Sequence, residues 1–215
     1  MTRGEIKRRF RLLGRHYFGS DADQDPFGLE LLIVETTNQI ARATDCYFGR
    51  RYLDLVADTK EYCAPDLYKI RNIQAKNNLG EYRRMRLFDA FDQKVDQFRS
   101  DATASYPEYA VIHGMNRIGV YPIPNAAVTQ GLLVEGYAIP GDYWVYSTTG
   151  VAQTPTDNDE CPLPNVAHDC VVYGMLANKA AMIGNEAGFA IYNGQYNERL
   201  GLVESYAATY SRRTP

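Results

Sequence analysis

The hydrophobic period of this chain changes twice along its length. Leu29, Leu32, Ile33, Thr36, Ile40 and Ala43 recur at three- and four-residue intervals, with polar residues on the other side. That spacing lines one stripe of a helix over residues 29–46. Residues 51–58 and 67–75 then read as short strands, with turns at Asp58-Thr59 and Pro65-Asp66. Residues 109–113, 117–121 and 131–138 alternate or run apolar, and Gly114-Met115-Asn116 suits a hairpin turn between the first two. Helical spacing returns at Asn165 and traces one helix to about Gly184 and a second from about Ala187 to Tyr210. Side chains that share a strand face do not share a helix face, so each change of period marks a change of architecture. The chain is predicted to be α+β, a helical bundle with an inserted, mostly antiparallel β module. The bundle takes residues 1–49 and 163–215, the module 50–146, and a Ser-, Thr-, Asp- and Pro-rich surface loop 147–162.

Local signals refine the helices. Thr2 and Glu5 have the spacing of a capping box, and the helix they open should end at Gly14 after Leu13. Ser20 to Gly28 reads as a loop, and a short helix could span Leu87 to Phe98. In the last helix Phe189, Tyr196, Val203 and Tyr210 repeat every seven residues, with Tyr192 and Tyr206 as a second row. Leu32, Ile33, Ile40, Tyr173, Ala177 and Val203 are the expected core.

A hydrophobic fraction of 45% and a charged fraction of 23% are ordinary for a soluble globular chain of 215 residues. No run reaches the length of a membrane span, and the charged N-terminus does not read as a secretory signal, so synthesis in the cytoplasm is expected. Charge is unevenly placed: residues 1–20 sum to +5 and residues 21–45 to −5. A basic element beside an acidic one suggests pairing within the chain or between copies. The 17 tyrosines suit either wet protein interfaces or strand positions.

A search for chemistry finds no assembled site. The four cysteines and three histidines are scattered, so they read as reduced thiols and not as a disulfide framework or a metal centre. Gly114 and Gly119 stand at P-loop distance, but Val120-Tyr121 follow where Lys-Ser/Thr is needed. No GxSxG or HExxH occurs. His168, Asp169 and Cys170 are consecutive on a helix and point in three directions; a capping and dipole role for Asp169 fits better. No catalytic, cofactor or metal residue is assigned, and an enzyme is not expected. The six cations of residues 1–15 leave nucleic-acid binding open.

Several strings resemble the bacteriophage head–tail adaptor (connector, or head completion) family. Glu61 to Ile73, an aromatic, a Pro-Asp turn and an Ile-rich strand, is similar to a strand pair of that family. Arg117-Ile118-Gly119-Val120-Tyr121-Pro122-Ile123-Pro124 resembles its strand ending in Tyr-Pro-x-Pro, and Leu132 to Tyr137 the strand after it. Leu163-Pro164 with Asn165 to Gly174 looks like the lead-in to its penultimate helix, followed by the small-residue run Leu176 to Ala180. The resemblance covers about residues 29–212, in order.

The resemblance implies a structural virion protein at the neck, the head–tail interface. It would form a homo-oligomeric ring, usually of about twelve copies, between portal and tail. The ring would seal the neck, serve genome ejection as a channel for DNA, and carry the tail's nozzle or tube proteins. DNA contact would be transient and non-specific, and no cofactor or membrane is implied. The family's C-terminal region commonly contacts the portal, which on this chain points to Tyr196, Arg199, Tyr206, Tyr210, Arg212 and Arg213. Arg8, Arg9 and Arg11 are expected to meet Asp21, Asp23 and Asp25 of a neighbouring copy, the other placement being along the DNA channel. The alternative is a nucleic-acid-binding accessory protein using the basic N-terminus.

Overall fold

The computed structural model describes residues 1–18, 26–88, 106–140 and 156–211. Four helices and eight strands occur among them, in an α+β arrangement. The helices are α1 (Arg3–Phe18), α2 (Pro26–Thr44), α3 (His168–Met182, after a 3-10 turn at Asn165–Ala167) and α4 (Glu186–Ser211). The chain divides into two compact units, Met1–Tyr47 with Ile139–Pro215, and Phe48–Ala138.

In the helical unit, the capping box forms: Thr2 N–H donates to Glu5 Oε2 (2.9 Å) and Glu5 N–H to Thr2 Oγ1 (3.3 Å). Gly14 does not end α1, which runs on to Phe18. A Cβ there would lie 2.7 Å from Phe18 Cδ2 and 3.3 Å from Leu176 Cδ2, so this glycine makes room for packing. Residues 26–28, expected in a loop, open α2, since Pro26 suits a first helical position that needs no N–H donor. The buried stripe of α2 continues through Ala41 and Thr44, while Ala43 is exposed. Its buried hydroxyls are satisfied locally: Thr37 and Thr44 Oγ1 donate to the Ile33 and Ile40 carbonyls (2.6 and 2.8 Å).

Ile6, Phe10, Ile33, Ile40, Val171, Met175, Leu176 and Val203 fill the core of this unit. Each large aliphatic there stabilises the fold by about 2 kcal/mol through lost water contact. Gly184, at φ +70°, ends α3, and Asn185 N–H reaches back to the Ala180 carbonyl (2.9 Å). Asn185 Oδ1 then accepts from Gly188 N–H (2.9 Å) and caps α4. On α4 the buried positions are Gly188, Tyr192, Val203 and Ala207; Phe189, expected in the stripe, is 39% exposed. Tyr173 is half-buried, because its ring carries the Arg199 guanidinium at 4.1 Å.

The β unit holds two four-stranded sheets. One orders β1 (Phe48–Leu55), β8 (Val128–Ala138), β3 (Leu67–Lys76) and β4 (Tyr82–Arg84); the other β2 (Glu61–Cys63), β7 (Arg117–Tyr121), β6 (Tyr109–His113) and β5 (Arg86–Phe88). All pairings are antiparallel except β5 with β6. The hairpin at 114–116 forms with Gly114 at φ +71°. Leu87-Phe88, read as the start of a short helix, are strand residues paired with Ala110 and Val111; residues 89–98 of that expected helix lie outside the described residues. Strand pairing across the sheet overrides a local pattern too short to specify either state.

Candidate interaction surfaces

The cations of α1 divide by the side of the helix they occupy. Arg3 and Lys7 both bind the Glu30 carboxylate on α2, and the Arg3 side chain is only 3% exposed. Lys7 also reaches Asp157 (2.5 Å). Burial pulls the Lys7 pKa down, but its bonds to Asp157 and Glu30 outweigh that and raise it overall. The same lysine holds Asp157 below the usual carboxylate range. Backbone bonds fasten this region: Arg3 and Gly4 N–H donate to the Asp159 and Asp157 carbonyls (both 2.8 Å), and Cys161 N–H to that of Met1 (3.1 Å). Residues 156–161 of the expected surface loop are therefore pinned to the start of α1. The part from 147 to 155 lies outside the described residues.

Arg9 pairs with Asp169 in the first turn of α3 (2.6 Å). Asp169 makes no side-chain cap there, contrary to expectation; its carboxylate turns to Arg9, where it also faces the positive end of the helix. Of the expected subunit-interface residues, Arg9 is thus engaged within the chain. Arg11 is half-buried and adds to the pull on Asp157, and Arg8 faces outward. Asp21, Asp23 and Asp25 lie outside the described residues.

His168 and Cys170 serve the core. His168 Nδ1 accepts from the Met1 amino group (3.0 Å), so Nε2 carries the proton and donates to the Leu163 carbonyl (2.9 Å). Burial, aided by the Met1 ammonium, lowers the His168 pKa. Burial pushes the Cys161 and Cys170 thiols up to about 11 and about 12, so neither supplies a thiolate nucleophile near neutral pH. Cys63, expected to act as a small apolar residue, is exposed.

The expected portal-binding residues fall in different places. Tyr196 packs into the α3–α4 contact, where a Cβ on Gly174 would lie 2.9 Å from its ring; burial pushes its hydroxyl to about 12. Arg199 stacks on Tyr173 and donates to the Gln195 carbonyl (3.2 Å) and Oε1 (2.7 Å). Tyr206 is half-buried, and Tyr210 lies in the last turn of α4. Arg212 and Arg213 are outside the described residues.

Two surfaces escaped the sequence reading. On the outer face of the first sheet, Glu135 is 8% exposed and accepts from Arg50 Nε (2.7 Å), Asn72 Nδ2 (2.8 Å) and Gln74 Nε2 (3.3 Å). Beside it Tyr137 lies between Phe48 and Tyr68, with Lys69 and Arg71 over its ring at 5.2 and 5.1 Å. The one available signal was a lone acid within an apolar strand, Leu132 to Tyr137. The second is a set of exposed apolar side chains on the helices: Leu12, Leu31, Met182, Ile191 and Leu202 are between 50% and 71% exposed. Leu31, Ile191 and Leu202 each sit next to a buried residue in sequence, so adjacency hid them.

Among the described residues no three His, Cys, Asp or Glu group closely enough to hold a metal ion, and no helix is long and apolar enough to cross a membrane. What the molecule presents is surface. Its sequence matches the SU10 adaptor protein family from residue 1 to residue 215. The chain belongs to that family. No curated protein matches it. The family is one of phage head–tail adaptors, which bears out the resemblance read between residues 29 and 212 and extends it through α1. The adaptor's role is accordingly structural, in the phage virion.

Proposed function

We propose that this adaptor forms a ring of about twelve copies between portal and tail. The ring seals the neck, gives DNA a channel during ejection, and carries the nozzle or tube proteins of the tail. The observation that carries this reading is the family match over the whole chain.

Portal contact is assigned to the end of α4 and the residues beyond it: Tyr206, Tyr210, Arg212 and Arg213. Tyr196 and Arg199 support that helix from within the bundle. Removing residues 210–215 spares the buried Val203 and Ala207, so the truncated chain keeps its fold. It should no longer attach to portal-bearing heads, read as failed tail joining and leaking DNA. Full attachment by the truncated chain defeats the assignment.

The nucleic-acid-binding alternative draws on the cations of α1. Arg3, Lys7 and Arg9 are already neutralised by Glu30, Asp157 and Asp169, which weighs against it. A single copy with steeply salt-dependent DNA affinity and no association with virions would favour it.

A further inference from the structure

Two exposed rows, one on α1 and one on α2, match each other in chemistry. On α1 the residues directly opposite the buried Ile6, Phe10 and Gly14 are Glu5, Arg8 and Leu12, which share a face at i, i+3 and i+7. On α2 the side opposite Ile33, Thr37 and Ile40 carries Leu31, Glu35 and Arg42, at i, i+4 and i+11. Leu12 is 60% exposed and Leu31 57%. Among the described residues, Arg8, Glu35 and Arg42 form no ion pair, whereas Arg3, Lys7 and Arg9 each do.

Neither row can set leucine on leucine against itself and also pair its charges. In an antiparallel self-contact centred on the leucines, Arg8 falls opposite position 16 and Glu35 opposite position 27, and neither position carries a charge of opposite sign to its partner. The rows fit one another when the helices run antiparallel. Leu12 then covers Leu31, and Arg8, one turn before Leu12, lies over Glu35, one turn after Leu31. Further along the same line, Glu5 approaches Arg42. Each copy carries one row of each kind, and both face away from their own core. A contact between unlike surfaces repeats head to tail, which is what a closed ring needs.

We infer that the outer row of α1 in one copy docks against the outer row of α2 in the next. This rests on the ring proposed above and names the residues that hold it. The leucine pair removes apolar surface from water, and the Arg8–Glu35 pair fixes the register that sets leucine on leucine. Arg9 and Arg11, the other cations first assigned to this interface, have no part in it because they serve the chain's own fold.

The test is charge reversal with rescue. Wild type, Arg8→Glu, Glu35→Arg and the double variant are mixed with portal particles, and the copies bound and cross-linked to one another are counted. Circular dichroism monitors the fold, which exposed substitutions leave intact. Each single reversal should weaken association between copies about tenfold, by replacing an attraction with a repulsion of similar size. The double variant should recover to within about threefold of wild type, because the pair is restored with its signs exchanged. Unchanged association in both single variants, or a double variant as weak as either, overturns the inferred contact and leaves the ring standing. A wild type that binds portal only as separate copies, or assembles only as a two-fold dimer, overturns the ring itself.

Discussion

Three consecutive residues at the start of α3 have three separate duties. His168 is buried and neutral, Asp169 pairs with Arg9, and Cys170 is a core thiol held far from ionisation. The histidine carries a pH consequence. Its folded pKa lies below its ordinary 6.5, so folding favours the neutral ring. The stability this contributes is present above about pH 6.5 and is lost as pH falls through the lower, folded value. Thermal midpoints should therefore drop as pH falls below about 6.5 in wild type, and drop less in His168→Gln. The Asp157–Lys7 pair is lost only below the ordinary carboxylate range, near pH 4, so the two effects separate. An equal slope in wild type and His168→Gln would assign the loss to other groups.

At the level of elements, the helical unit is held by close approach as much as by apolar area. Gly174 on α3 sits where a Cβ would lie 2.5 Å from Thr36 Cγ2 on α2 and 2.9 Å from the Tyr196 ring on α4. Three helices therefore converge on one missing side chain. Gly174→Ala gains about 1 kcal/mol of helix propensity but must push two neighbours apart. The expected balance is a loss of about 1–3 kcal/mol, read as a lower denaturation midpoint at unchanged denaturant slope. A stabilised variant would mean that α2 or α4 shifts freely. Gly14 performs the same service between α1 and α3, which explains why a helix-ending residue stands inside a helix.

For the whole molecule, the decisive feature is insertion. The β unit enters on β1 and leaves on β8, and these strands pair with each other from Phe48–Tyr137 to Leu55–Val128. Its entrance and exit are therefore adjacent, and the helical unit tolerates the excursion between α2 and α3. The β unit buries its own apolar set, including Leu55, Leu67, Ile73, Ile118, Leu132 and Val134. Residues 48–138 expressed alone should show strand-type circular dichroism and a cooperative thermal transition. A featureless melt would show that the helical unit is needed to hold the sheets. Such modularity suits an adaptor, whose separate surfaces meet different neighbours.

Much of this was legible in the sequence because period is a local property. The α2 and α3–α4 patterns, the hairpin at Gly114 and the capping box at Thr2 all follow from contacts within a few residues. The resemblance to head–tail adaptors was likewise carried by short strings in order. The tertiary structure alone decided which cation does what. Arg3, Arg8 and Arg9 are alike in one dimension; only the packing of α1 turns Arg3 to Glu30, Arg9 to Asp169 and Arg8 outward. It also decided that Gly14 lies within a helix, that Leu87-Phe88 pair as a strand, and that Glu135 is buried among Arg50, Asn72 and Gln74. Each of these depends on partners distant in the chain, and long-range partners leave no period to read.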